Sequence, residues 1–125
     1  MLACSSNRTT VKVYSSSRLI LVVARNETWA GASATEPYEA GWACEAVLFL
    51  RALDDAEVPG ASATVRVQIS PDGMRWLDEG TSFALPLERD ATGFARVRHF
   101  GNWLRLAAEL PPGQRVKVLA TFHLK

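Results

Sequence analysis

The chain has few of the residues that usually build reactive or cross-linked sites. Its 125 residues include only two cysteines and two histidines, and 14 basic residues balance 13 acidic ones to a net charge of +1. Such a balance gives no reason to expect nucleic acid or an anionic membrane as partner. The longest apolar run, residues 19–24, is far too short to cross a bilayer, so we expect a soluble protein.

The two cysteines, Cys4 and Cys44, lie far apart in the sequence, and Cys44 falls in an apolar segment where a buried thiol is common. We therefore expect two independent thiols, with pairing in an oxidising compartment as the alternative. Nothing around Met1 provides the charged and apolar leader of a lipoprotein signal, so no targeting segment is expected.

No group of residues in the sequence indicates a particular reaction. His99 and His123 lie in alternating stretches typical of strands, without the spacing that places two ligands on one metal. No serine lies in a nucleophile elbow, and no glycine-rich phosphate loop is present. The adjacent carboxylates resemble solvated turn or strand-end residues: Asp54-Asp55 and Asp78-Glu79. We expect a protein that is not an enzyme and uses no metal or other cofactor, unless folding assembles a site that the sequence hides.

What the sequence does have is strict two-residue alternation, clearest in Thr64–Ser70, TVRVQIS. The alternation places apolar side chains on one face of a strand and polar ones on the other: Val65, Val67 and Ile69 against Arg66 and Gln68. Such a strand lies with one face on a core and the other in solvent.

A structural hairpin is predicted to follow, built from Ser70, Pro71, Asp72, Gly73 and Trp76. Proline fixes φ, aspartate bonds its own backbone and glycine can adopt positive φ, which together predict a tight turn. Trp76 is expected to cover the end of the hairpin and to donate its indole N–H to a backbone carbonyl.

Further strands are predicted at residues 11–14, 18–25, 42–53, 75–83, 94–100, 103–110 and 115–124. Residues 18–25 are apolar on both faces, which favours a central strand or one partly covered by another subunit. Residues 42–53 fit a helix or a buried strand, and the turns around them favour the strand. Residues 26–41 are rich in Ala, Gly, Ser and Thr and are expected to form a long loop.

About seven to eight short strands predict an all-β fold, an antiparallel two-sheet sandwich with either jelly-roll or immunoglobulin-like topology. We expect residues 1–10 to be a flexible tail and residues 11–125 to form a single domain.

Arginines recur at outward positions of the predicted strands: Arg66, Arg75, Arg96, Arg98, Arg105 and Arg115. With Trp103 they would give one sheet a face rich in the residue types that are enriched in protein interfaces. The same arginines fit equally well as solvating groups that protect sheet edges. The candidate interface therefore comprises Trp29, Tyr38, Trp42, Arg66, Arg96, Arg98, Trp103 and Arg105.

Residues 70–76, SPDGMRW, with residues 100–105, FGNWLR, and residues 120–125, ATFHLK, resemble a pattern of small β-sandwich proteins encoded among the virion genes of tailed bacteriophages. The resemblance covers about the second half of the chain, residues 64–125. It implies a capsid decoration or accessory protein, located in the virion, that binds a capsid or other virion protein and forms a homo-oligomer such as a trimer. Residues 1–10 and 26–41 would then reach its neighbours.

The same hairpin also resembles discoidin-type modules, the C-terminal modules of coagulation factor 5/8, although the bracketing cysteines are missing and the chain is shorter. This second resemblance implies a carbohydrate-binding module. Its glycan would stack on Trp29, Tyr38, Trp42 and Trp103.

Overall fold

Nine β-strands and no helix form in residues 19–125, the part of the chain that the computed structural model describes. In chain order the strands are β1 (Leu19–Trp29), β2 (Ala32–Ala34), β3 (Tyr38–Glu39), β4 (Glu45–Ala52), β5 (Thr64–Ser70), β6 (Leu77–Ala84), β7 (Thr92–Arg98), β8 (Trp103–Glu109) and β9 (Val116–Leu124). Every strand pairing is antiparallel.

The strands form a four-stranded sheet, in the order β1-β9-β4-β7, and a five-stranded sheet, in the order β2-β8-β5-β6 with β3 also paired to β8. The predicted all-β fold of two antiparallel sheets is confirmed. If β2 and β3 count as one interrupted strand, the order is that of a jelly roll. An immunoglobulin-like order is ruled out because β1 pairs with the last strand of the chain instead of the strand that follows it.

The core lies between the two sheets and contains side chains from both. Strand β9 shows how the alternation builds it, because every second residue is buried while the residues between them face outward. A fully buried Val, Leu or Phe side chain stabilises the fold by about 1.5–3 kcal/mol through its removal from water. The largest members of the core are Trp29, Phe100, Phe122, Leu48, Leu50, Leu104 and Leu106.

The long loop predicted for residues 26–41 is partly wrong. Strand β1 continues to Trp29, and β2 and β3 both pair with β8. These short segments have weak strand propensity of their own, so hydrogen bonds to β8 decide their conformation. Directly after β2, the backbone N–H of Thr35 also donates to β8, to the carbonyl of Leu106 at 2.9 Å.

The sequence predicts residues 18–25 to be a central strand or one partly covered by another subunit. Within residues 19–125, β1 lies at the edge of the four-stranded sheet and pairs only with β9. Its register shifts between Val22 and Ala24 and again between Ala24 and Glu27. Such bulges are common at sheet edges, and they let one strand bury Val23 and Ala24 in succession.

Two other expectations concern residues 42–53 and the cysteines. Strand β4 lies between β9 and β7, so the prediction of a strand in place of a helix is confirmed.

Cys44 takes part in a disulfide bond, so the expectation of independent thiols is wrong. Cys4 and the strand predicted at residues 11–14 lie outside the described residues.

Candidate functional site

The β5–β6 turn is held by two side chains that satisfy its backbone. The Ser70 hydroxyl accepts the N–H groups of Asp72 and Gly73 at 3.2 and 2.8 Å. The Asp72 carboxylate accepts the N–H groups of Met74 and Arg75 at 2.8 and 3.0 Å and the Ser70 hydroxyl at 3.0 Å. These contacts give the hairpin residues a local structural role.

The two tryptophans near this turn have different positions from those expected. Trp103 covers the turn, since a Cβ added to Gly73 would lie 3.0 Å from Cε2 of the Trp103 ring. Trp76 is half-buried, and the guanidinium of Arg105 lies 4.3 Å from the centre of its ring. Within residues 19–125 no backbone carbonyl accepts the Trp76 indole N–H, so that expectation is wrong.

A polar network crosses the outer face of the five-stranded sheet near Trp76. The Nε–H of Arg105 donates to Oε1 of Gln68 at 2.8 Å, and Nε2 of Gln68 donates to Oδ1 of Asp78 at 3.0 Å. Arg66 forms a longer ion pair with Asp78 at 3.7 Å. The network joins three strands and holds Arg105 in one orientation.

The outer face of the four-stranded sheet is apolar at its centre. Pairing aligns two outward rows across all four strands: Ile20, His123, Val47 and Arg96 in one, and Val22, Thr121, Phe49 and Phe94 in the other. We call this surface the aromatic face. Three of its apolar side chains are well exposed, at 62% for Ile20, 48% for Phe94 and 40% for Val22.

Ring contacts fix the middle of the aromatic face. The Phe49 and Phe94 ring centres are 5.9 Å apart, and the His123 ring meets Phe49 edge-on with the centres 4.9 Å apart. The guanidinium of Arg96 lies 5.7 Å from the centre of the Phe94 ring. Such contacts each contribute about 0.5–1.5 kcal/mol beyond burial, so these rings form an ordered exposed surface.

Charges border the aromatic face and are mostly positive. Arg98 faces Glu45 at 3.8 Å across the β4–β7 pair, in a surface ion pair of small energetic value. Exposed cations also occupy outward positions at the far side of the face, on β4 and β9: Arg51 and Lys117. Within residues 19–125, the outward positions of β4 and β7 therefore carry Arg51, Arg96 and Arg98 against Glu45, whereas Lys117 lies in a cleft with three carboxylates.

The predicted interface residues do not form one surface. Arg96 and Arg98 lie at the aromatic face, whereas Arg66, Arg105 and Trp103 lie on the opposite sheet. Trp42 is exposed and Tyr38 packs at the margin of the core. Trp29 is only 2% exposed and lies in the core. Its predicted position in the interface is therefore wrong.

None of the apolar residues of the aromatic face was among the predicted interface residues. Phe94 had a readable signal, because it lies in phase with Arg96 and Arg98 and therefore on the outward side of β7. No such sequence signal exists for Phe49 and Ile20, because their segments are apolar on both faces. Only the packing of the sheets decides which side of these strands is inward.

The described residues show no arrangement that points to a reaction. Within residues 19–125 no group of three or more metal-ligating side chains comes together. A cleft of about 320 Å³ at one end of the sandwich mixes both signs of charge: Asp54, Asp55, Glu57, Arg115 and Lys117. Asp55 in this cleft accepts the backbone N–H of Arg89 at 2.8 Å, which gives it a structural role.

No protein-family model and no curated protein matches the chain. Among solved structures the chain is similar to one described as "Crystal structure of PirA", with 13% sequence identity, coverage of 86% of this chain and 93% of that chain, and a TM-score of 0.49. At this identity and score the similarity does not bear on function. The part of the chain that the structure describes forms no helix suited to crossing a membrane.

Proposed function

We propose that the protein is a non-enzymatic binding module that docks on another protein through its aromatic face. The observation that carries this proposal is the exposure of Ile20 and Val22 on β1 and of Phe94 on β7, in the same outward rows as Val47 and Phe49. Outer positions of a β-sandwich are ordinarily polar. A large exposed apolar patch with a polar border is typical of a protein interaction site.

The border of the face specifies the chemistry of the partner. Along β4 and β7 three arginines outnumber Glu45, so an apolar partner surface bordered by carboxylates would be complementary in charge there. Two copies of the chain placed face to face would instead bring like charges together. The partner at this face is therefore a different protein, and any homo-oligomer, such as a trimer, would associate through other surfaces.

The resemblance of the hairpin and the last strands to phage virion proteins supports a narrower version of this proposal. In that version the partner is a capsid or other virion protein, and the module decorates and stabilises the shell of a phage-like particle. Cryo-electron microscopy of particles from cells that produce the chain tests it. We expect the sandwich on the shell with β1, β9, β4 and β7 facing the partner; particles without it would contradict the virion role.

Substitution at the face tests the docking surface itself. Phe94→Asp places a charge on the β7 side of the face, next to the Phe49 ring, and we expect particle occupancy to fall at least about tenfold, as for loss of a binding hot spot. Met74→Asp is the matched control, because Met74 is 78% exposed but lies on the β5–β6 turn. Equal occupancy of both variants, with unchanged melting temperatures, would contradict docking through this face.

Glycan binding is the second candidate, and the exposure of Trp42 favours it. The backbone N–H of Ala40 donates to the carbonyl of Asn102, which brings the segment before Trp42 beside the segment before Trp103. An exposed indole in such a position can stack on a sugar. A glycan array with the native chain and Trp42→Ala tests this candidate. No response over a broad panel would contradict glycan binding, and docking would be the remaining proposal.

A further inference from the structure

A shallow groove of about 280 Å³ lies on the outer face of the five-stranded sheet, on the side of the molecule opposite the aromatic face. Its floor is made of small side chains, because β2 pairs with β8 through Ala34 and Ala107 and places Ala32 beside Glu109. Arg66, Gln68 and Arg105 form the other side of the groove. A ligand can therefore approach the sheet closely on one side and meet guanidinium groups on the other.

The guanidinium of Arg105 is held in place before any ligand arrives. Its Nε–H donates to Gln68, which in turn donates to Asp78, and its central carbon lies 4.3 Å from the centre of the Trp76 ring. Within residues 19–125 its terminal nitrogens have no acceptor. A fixed guanidinium with unused donors loses little conformational entropy when it binds an oxyanion.

Arg66 adds a second cation to the same groove. Its ion pair with Asp78, at 3.7 Å, is longer than a hydrogen bond, so its donors are also largely unused. Burial, and after it the nearby charge of Arg66, lowers the pKa of Arg105. Among the residues that line the groove, only Glu109 is acidic.

We propose that the groove binds a carboxylate carried on a compact body, up to about the size of one sugar ring. The planar fork of a guanidinium matches a carboxylate in two parallel hydrogen bonds, and two such groups line the groove. The alanine floor would cover the apolar side of the ligand. Since small-molecule sites usually span about 300–1,000 Å³, the groove fits a small organic acid or one acidic unit of a polysaccharide.

Calorimetric titration of the full chain at fixed ionic strength tests the proposal with four probes: glucuronate, polygalacturonate, glucose and sodium sulfate. We expect saturable binding of at least one of the two acids, and at least about tenfold weaker binding of glucose and sulfate. Binding of glucuronate alone or of both acids equally would indicate a free small acid, whereas a preference for the polymer would indicate a saccharide chain. In a parallel titration followed by tryptophan fluorescence, we expect the emission to change, because Arg105 lies over the Trp76 ring.

Variants locate the site and keep the proposal testable if one of them misfolds. We expect Arg66→Ala and Arg105→Ala to weaken acid binding at least about tenfold, and Arg105→Lys to weaken it while keeping the charge, because lysine lacks the planar fork. Arg96→Ala and Arg98→Ala remove the same charge on the opposite sheet and should leave acid binding unchanged.

Several outcomes would overturn the proposal. They are the absence of saturable binding by either acid, equal binding of sulfate or glucose, and an equal loss in the Arg96→Ala or Arg98→Ala controls. Polyglutamate serves as a fifth probe, and its binding in place of the acidic sugars would equally overturn the proposal, since the ligand would then be a protein. The proposal is independent of the docking function, because Phe94→Asp should not change acid binding.

Discussion

Single side chains decide how the β5–β6 turn is held. Ser70 and Asp72 together accept four backbone N–H groups that lie within three residues of them in sequence. Side chains of this type commonly replace a missing backbone acceptor in turns. Because every donor and acceptor is local, the turn forms from its own residues with little help from the rest of the fold.

The ionisation of Asp72 makes this turn sensitive to acid. Backbone N–H groups of Arg75 and Met74 and the Ser70 hydroxyl all donate to its carboxylate, and they hold its pKa below the ordinary value of 3.8. Since the pKa is lower in the folded state than in the unfolded state, the stabilisation is present above the unfolded value and is lost as pH falls through the folded one.

Asp72→Asn tests this pH dependence, because asparagine keeps an acceptor oxygen but does not titrate. We expect the stability advantage of the native chain over Asp72→Asn to shrink as pH falls from about 5 to about 2. Urea unfolding of both proteins across this range measures it. A difference in unfolding free energy that stays constant with pH would contradict the role of the carboxylate charge.

Gly73 is required at its position for two separate reasons. Its φ is +81°, in the region that favours glycine, and an added Cβ would meet the Trp103 ring at 3.0 Å. We expect Gly73→Ala to lower the free energy of unfolding by about 1–2 kcal/mol from backbone strain, and by more if Trp103 cannot move. Gly60→Ala is the control, since it has similar φ but open space around it; an equal loss would mean that Trp103 adds nothing.

At the scale of elements, one buried side chain holds the connection between β4 and β5. Oε1 of Gln114 accepts the N–H of Val58 at 3.0 Å, and its Nε2 donates to the carbonyls of Val58 and Ala61 at 2.8 and 2.7 Å. Gln114 is buried just before β9. It therefore joins the start of the last strand to a segment more than 50 residues earlier in the chain.

Removal of this link should be costly. Gln114→Ala leaves backbone groups of Val58 and Ala61 without their partner, and we expect the unfolding free energy to fall by about 2–4 kcal/mol. Ser33→Ala is a matched control, because it removes two exposed and local side-chain hydrogen bonds to Ala30. Chemical denaturation measures both, and a loss for Gln114→Ala no greater than that for Ser33→Ala would contradict the role of the link.

At the scale of the whole molecule, the jelly-roll order gives the two outer faces different chemistry. The aromatic face is apolar with a cationic border, and the opposite sheet carries a polar network around Arg105. Residues close in sequence reach opposite faces, as Arg98 on β7 and Arg105 on β8 show. The single surface of arginine and aromatic groups expected from the sequence is therefore divided between two sheets.

This division leads to a prediction about assembly. If copies of the chain associate through surfaces other than the aromatic face, Phe94→Asp should leave the molar mass in solution unchanged while it removes docking. Light scattering coupled to size-exclusion chromatography measures the mass of both proteins at matched concentration. A fall to a smaller species in Phe94→Asp alone would mean that the aromatic face joins copies of the chain.

The sequence predicted best where the determining contacts are local or strictly periodic. The bounds of β5 are those predicted, Thr64–Ser70, because its alternation is regular and a turn signal ends it. Prediction failed for β2 and β3, whose residues have weak propensity and take their conformation from the edge of β8. It also failed for Trp29, since an aromatic residue in an Ala-rich and Gly-rich segment gives no local sign that it reaches the core.

The sequence by itself determined the class of fold, the turn at residues 70–73 and the inward phase of strands such as β9, because alternation and turn chemistry act within a few residues. Only the tertiary structure decided which strands became neighbours. Within residues 19–125, that choice paired β1 with β9 alone, brought Phe49, Phe94 and His123 into contact, and set Arg66 near Arg105. These contacts join residues distant in the chain, and their energies depend on the packing of two sheets that no local segment specifies.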